Sequence, residues 1–379
     1  MSPASTSRPS PDVVAPGTSR LNAPTGAHRS PTPERPVRFG VVGAGFIATW
    51  FAQAVAAEPA AEIVAVTSAR PERAAAYAAK HGVPRTHATL EEMLAAQGEN
   101  AVDAVYVGSP NHLHAEHTIA ALRAGRHVLV EKPFAVTPAQ ARDMAAEALR
   151  ADRLLVEGWL PAFEPGTAVI RENLARLGEI RRAVFVKEQY SSRMDAYKAG
   201  SLPGAFDPAM AGGSLMDLGI YPVSMAIHLF GTPDRVTATG VLLDSGVDAM
   251  GTIVLGYDDG PEVVCMHSKA SSTGLDCQVA GEHHVLVMDD CQWPRRITLH
   301  GPRQRTGGAD PQAPEDLSVE RTGPAQVYEL AAFCELVRSG ARECGLHPVE
   351  SSVTAIEVLS QARRQVGVRF PADDDAPQP

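Results

Sequence analysis

From residue 37 onward, apolar positions fall into two alternating patterns. Short continuous apolar runs at 37–42, 62–67, 102–108, 127–130 and 154–158 read as strands buried on both faces. Between them lie segments with apolar residues at helical spacing: one reaching 57, an Ala-rich one from 71, then 90–96, 114–124 and 138–151. Strands alternating with helices predict a parallel sheet covered on both faces, in a doubly wound α/β arrangement. After residue 160 the rhythm changes. A helix over 168–177 precedes a strand over 180–190, a Gly-rich loop and a helix over 214–230. Runs at 236–243, 251–257, 262–268, 276–280, 284–288 and 296–300 follow with short turns and no helices between them. That succession predicts a large, mostly antiparallel open sheet in a C-terminal α/β domain. The polar stretch 301–315 reads as a surface loop, and 326–338 and 349–366 as closing helices. The expected organisation is a tail over 1–36, a first domain over 37–158, a second over 159–345, a closing helix in 346–371 and a frayed tail over 372–379.

Residues 1–36 are rich in Pro, Ser, Thr and Ala and carry no apolar run of signal-peptide length, so they read as a disordered tail without a secretory signal. The uncharged stretch 39–57 is long enough to span a bilayer, but Gly40, Gly43 and Gly45 interrupt it, and it reads as strand, turn and helix. The 379 residues are 44% hydrophobic and 21% charged, as expected of a globular chain of two or three domains. The net charge of −10 disfavours nucleic acid and anionic membrane as partners, since both select a basic face. Five cysteines without a C-x-x-C pair fit neither a disulfide framework nor a zinc knuckle, and suit a reducing cytoplasm.

Gly43-Ala44-Gly45-Phe46-Ile47-Ala48 follows the first strand and opens the first helix, matching G-x-G-x-x-G/A. Gly43 permits the tight turn, Gly45 lets backbone N–H groups at Phe46 and Ile47 approach a pyrophosphate, and Ala48 allows close helix–strand packing. This is the signature of a dinucleotide-binding Rossmann domain. An NAD site places an acid at the end of the second strand to hold the ribose 2′-hydroxyl. Here that place holds Thr67-Ser68-Ala69-Arg70, with Arg73 one turn later. A hydroxyl and two guanidinium groups suit a 2′-phosphate, so NADP(H) is expected over NAD(H).

His127-Val128-Leu129-Val130-Glu131-Lys132-Pro133 closes the strand at 127–130, and Gly108-Ser109-Pro110-Asn111-His112-Leu113-His114 stands ahead of it. With the glycine turn, the segment Gly212-Gly213-Ser214-Leu215-Met216-Asp217-Leu218-Gly219-Ile220-Tyr221 and the ending Glu329-Leu330-x-x-Phe333-x-x-x-Val337-x-x-Gly340, these resemble the Gfo/Idh/MocA oxidoreductase family over nearly the whole folded chain. The resemblance implies that Lys132 sits at the substrate near the nicotinamide and that Pro133 follows a special backbone geometry of the cis kind. It implies that Pro110, Asn111 and His114 line the cofactor groove and that Glu131 lies near the nicotinamide ribose. It also implies a homodimer or homotetramer built through the C-terminal sheet. Independently, Lys132 stands where a strand's carboxyl end meets the crevice, and an ammonium there can polarise a carbonyl.

Asp217 and Tyr221 are spaced i, i+4 and share a helix face. Many family members carry His at the second position. The Asp-x-x-x-Tyr form resembles the branch of glucose–fructose oxidoreductase, dimeric dihydrodiol/xylose dehydrogenases and nucleotide-ketosugar 3-reductases, and looks unlike inositol dehydrogenases. A nearby Lys⁺ lowers a phenol's pKa, so Tyr221 is expected as general acid/base, Lys132 as its tuner and substrate donor, and Asp217 as orienter. Trp159 is a candidate for stacking on a substrate ring, and Arg193, with Tyr197 and Lys198, for an anionic group; Ala162 stands where relatives carry a polar residue. His228 reads as a core residue and His283-His284 as surface. No carboxylate or cysteine completes a metal site with His112, His114 and His117, and no metal is expected. The expected activity is hydride transfer between NADP(H) and a carbonyl or secondary alcohol of a sugar, ketosugar or cyclic diol, with no nucleic acid or membrane partner. The alternatives are a dihydrodiol/aldose dehydrogenase, a redox-neutral NAD(P)-dependent enzyme, and a cofactor-binding regulatory protein.

Overall fold

The computed structural model describes residues 35–301 and 313–374. Most of the tail expected over 1–36, most of the loop at 301–315 and most of the tail at 372–379 lie outside them. The chain runs β1 (Val37–Val42), α1 (Phe46–Ala57), β2 (Ala61–Thr67), α2 (Pro71–His81), β3 (Thr86–His87), α3 (Leu90–Ala95), β4 (Ala104–Val107), α4 (His114–Arg123), β5 (His127–Glu131), α5 (Pro138–Ala151) and β6 (Leu155–Gly158). These six strands form one parallel sheet in the order β3-β2-β1-β4-β5-β6. Every residue of β1, β4 and β6 is buried, which explains their mostly apolar character; the buried exceptions are partnered, Arg38 by Asp103 and Glu157 by the Phe134 N–H. The helices start on local signals. Pro71 and Pro138 occupy first-turn positions whose N–H needs no partner, and Thr137 and Gln140 close a capping box on α5.

The second half runs α6 (Pro165–Asn173), β7 (Ile180–Glu188), α7 (Met194–Lys198), α8 (Ile220–Phe230), β8 (Arg235–Leu242), β9 (Asp248–Gly256), β10 (Glu262–Ser268), β11 (Cys277–Gly281), β12 (Val285–Met288), β13 (Ile297–His300), β14 (Glu315–Asp316), α9 (Val327–Ser339) and α10 (Val349–Val366). Its eight strands follow the order β14-β13-β12-β11-β7-β10-β9-β8. Only β7–β10 is parallel; the other pairs are antiparallel. Helices α8 and α10 pack on one face of this sheet. One apolar core joins both halves, from Val105 and Phe134 of the first to Tyr221, Val263 and Leu359 of the second.

The helix expected over 214–230 begins differently. Residues Leu215–Gly219 form wide π turns before α8. Pro222 has no N–H for the carbonyl four residues back, so an α ladder cannot run unbroken through this stretch. The buried Asp248 carboxylate accepts the Leu215 N–H at 2.7 Å and anchors the start of the turn. A Cβ at Gly213, whose φ is 113°, would stand 2.5 Å from Asp248 Oδ1, so this approach needs the glycine.

Candidate active site

β1 and β4 are neighbours, and the connections leaving them diverge, so a crevice opens at their carboxyl ends. Gly43 lies there with φ 97°, and its N–H donates to Thr67 O at 2.9 Å. A Cβ on Gly43 would stand 2.4 Å from Gly108 O, so the turn admits no side chain. Gly45 caps α1 without any side-chain hydrogen bond, the first turn carries no acid, and nothing lies within 4 Å of where its Cβ would be. Uncapped helix N–H groups facing an open cradle fit a pyrophosphate. Phe46 is 73% exposed beside it, and Ile47 is half-buried. Ser68 Oγ accepts the Arg70 N–H at 3.3 Å. The Arg70 and Arg73 side chains are exposed, and neither pairs with a carboxylate among the described residues. Pro110 is exposed at the head of the 111–113 turn, and Asn111 donates to Ala211 O at 3.1 Å, tying this rim to the second half of the chain.

The expected catalytic trio meets beside this crevice. Lys132 directly follows β5, joined to Pro133 by a cis peptide, and its Nζ lies 2.7 Å from Asp217 Oδ1 and 3.0 Å from Asp217 O. The π turn aims that carboxylate at the lysine. Lys132 Nζ is 4.9 Å from the Tyr221 ring centroid. A second ammonium, Lys269 just after β10, pairs with Asp217 Oδ2. The Lys269 side chain is 5% exposed, whereas that of Asp217 is 43% exposed and open to a ligand. Burial works against the Asp217 carboxylate, but Lys132 and Lys269 outweigh it and hold the group well below the usual range. Burial likewise works against the Lys132 charge, and Asp217 reverses that, so the ammonium is held above its ordinary value.

Tyr221 corrects one expectation. Its phenol is raised, not lowered, because burial outweighs the nearby Lys132 charge and Asp217 opposes that charge. Its Oη accepts a hydrogen bond from Gln292 Nε2 at 3.0 Å. Lys187 of β7 stands 5.8 Å from the same ring and pairs with Asp290 at 2.7 Å. Sequence reasoning missed Lys187, Lys269, Asp290 and Gln292. They come from separate strands and loops, and no spacing links them to Asp217.

Three expected ligand contacts are corrected. Trp159 is fully buried, packed 5.1 Å from the His347 ring and 5.6 Å from the His228 ring, so it offers no stacking face. His114 is buried with ring nitrogens 2.9 Å from Pro133 O and 2.9 Å from Ser109 O, bracing the lysine's loop instead of facing the groove. Glu131 turns inward, accepting from Tyr106 Oη at 2.7 Å and from Gln326, and burial raises its pKa to about 7. Arg193 is exposed at the head of α7, and Lys198 donates to Tyr190. His228, as expected, packs in the interior, where burial lowers its pKa to about 3.

Fold and site together place the chain among NAD(P)-dependent oxidoreductases. A family model described as "Oxidoreductase family, NAD-binding Rossmann fold" matches residues 37–158, and the corresponding C-terminal domain model matches 172–287. The chain belongs to this Gfo/Idh/MocA oxidoreductase family. It is 36% identical over 337 residues to the scyllo-inositol 2-dehydrogenase (NADP(+)) IolU of Bacillus subtilis, covering 89% of this chain and 99% of that protein. It is 30% identical over 345 residues to the trans-1,2-dihydrobenzene-1,2-diol dehydrogenase of Mus musculus, covering 89% and 99%. Among solved structures, a 3-ketoreductase from Actinomadura kijaniata in complex with NADP superposes with a TM-score of 0.72 at 26% identity, covering 89% of this chain and 100% of that one. No helix among the described residues is long and apolar enough to cross a membrane.

Proposed function

We propose that the protein is an NADP(H)-dependent oxidoreductase acting at a carbonyl or secondary alcohol of a cyclic polyol, sugar, ketosugar or cyclic diol. The observation that carries this reading is the Lys132–Asp217 pair beside the buried Tyr221, at the same carboxyl edge of the first sheet as the glycine turn. Gly43, Gly45, Phe46 and Ile47 would hold the pyrophosphate, and Ser68, Arg70 and Arg73 the 2′-phosphate. The names of two relatives, one an NADP(+) enzyme and one solved with NADP, support that preference. When bound, the nicotinamide supplies or accepts the hydride.

Tyr221 stays a neutral phenol across the physiological range, so it suits donation of a proton to a substrate oxygen that is gaining charge. Lys132 stays an ammonium and stabilises that oxygen without giving up its proton. Asp217 stays a carboxylate and accepts a neighbouring substrate hydroxyl through its exposed edge. Such a demand for adjacent hydroxyls agrees with the inositol and diol named for the relatives. Half-buried Val264 and Met266 on the outward face of the second sheet support assembly into a homodimer or homotetramer, which light scattering after size exclusion reads directly.

The test is a fluorescence titration with NADPH and NADH, followed by a panel of scyllo-inositol, ketosugars and cyclic diols watched at the nicotinamide absorbance. Preferential NADPH binding with turnover of a panel member is expected. Binding without turnover of any compound would replace this reading with a redox-neutral enzyme or a regulatory protein.

A further inference from the structure

We propose that Gln292 is the positioning residue that makes Tyr221 competent for proton transfer, and that the loop after β12 exists in its present form to hold it there. The inference rests on the reading of Tyr221 as the proton-transfer group. Lys132 directs hydrogen bonds to Asp217. Besides Lys132, which also bonds the phenol, Tyr221 Oη accepts a hydrogen bond from Gln292 at 3.0 Å, from a side chain in a residue 8% exposed. An amide N–H on one lone pair of Oη stabilises the phenolate and leaves the phenol O–H free to point at a substrate oxygen.

The loop is pinned to β7 at successive residues. Asp290 Oδ2 accepts Lys187 Nζ at 2.7 Å, and Asp290 Oδ1 accepts the Gln292 N–H at 2.6 Å. Cys291 Sγ lies 3.6 Å from Val186 O, with its side chain buried. Gln292 is therefore presented from a fixed backbone, and its register against Tyr221 follows from the Lys187–Asp290 pair. The charged and titratable groups around Tyr221 are Glu131 of β5 and Lys132 just after it, Asp217 of the π turn, Lys187 of β7 and Asp290 of the loop, with Lys269 acting through Asp217. Gln292 is the uncharged member of this set. It can hold a proton in place without adding another charge.

The test reads the phenol itself. Tyr221 is replaced in the full chain by a trifluorinated tyrosine, which ionises several units lower and is followed by fluorine NMR against pH. Gln292→Leu should raise that midpoint by about one pH unit, the worth of one hydrogen bond to the charged form. Gln292→Glu, which sets a carboxylate against the phenolate, should raise it further. The order native, Leu, Glu supports the proposal, because a side chain that merely filled space would leave the midpoint unmoved. No shift, or a downward shift, in folded variants overturns it. In parallel, Tyr221→Phe is assayed with NADP⁺ and scyllo-inositol and the other panel compounds. Retained turnover there overturns the acid–base reading, whereas lost turnover with an unmoved midpoint overturns the role of Gln292 alone.

Discussion

At the scale of single residues, chemistry depends on which groups share a few ångströms. Tyr221→Phe keeps the ring's packing and removes only the proton. Steady-state turnover should fall about 10²–10⁴-fold, the usual worth of general acid–base catalysis, while NADPH affinity by fluorescence stays unchanged. Arg70→Ala combined with Arg73→Ala should weaken NADPH binding about 10–100-fold and NADH binding far less, because charge-assisted hydrogen bonds to a 2′-phosphate vanish only from the former. Equal losses for both cofactors would remove the arginines from that role. Lys132, Asp217 and Tyr221 were legible because each sits in a local motif. Trp159 was misread for the opposite reason. Its neighbours His228 and His347 arrive from distant parts of the chain and close over it.

At the scale of elements, two glycines of one turn behave oppositely. Gly45 has an ordinary φ of −91° and empty space at its Cβ, so Gly45→Val should leave the melting temperature nearly unchanged and abolish cofactor binding. Gly43→Ala meets Gly108 O at 2.4 Å in a left-handed conformation, so it should destabilise the fold itself. Thermal melts beside titrations separate the two. The π turn ahead of α8 offers a pH signature. Burial raises Asp248 from 3.8 to about 6. A raised carboxyl pKa means the folded chain holds the proton more tightly than the unfolded one. Its contribution is therefore whole below pH 3.8 and is lost as pH rises through about 6. The melting-temperature advantage of Asp248→Asn over the native chain should grow across that window and level off above it. A difference flat with pH would show that Asp248 does not titrate there. Pro222 was the sequence signal for this irregular turn; the carboxylate that anchors it comes from β9.

At the scale of the whole molecule, the described chain couples its two sheets through one apolar core. A ligand of the crevice therefore stabilises the unit that both halves share. NADPH at a hundred times its dissociation constant should add about 2.7 kcal/mol, read as a single melting transition moved upward. Two separate transitions, only one of them shifted, would mean that the sheets unfold independently.

The sequence by itself determined the order of the main strands and helices, the parallel character of the first sheet and the mostly antiparallel character of the second, and the placement of the glycine turn and the Lys132 motif. Those properties follow from hydrophobic period, turn chemistry and short spacings, all local along the chain. Only the tertiary structure decided that two lysines clamp Asp217, that burial raises Tyr221 despite the charge beside it, and that Gln292 donates to its hydroxyl. Solvent exclusion and charge pairing depend on distance in space, and Lys187, Lys269 and Gln292 reach the site by strand pairing between segments far apart in sequence.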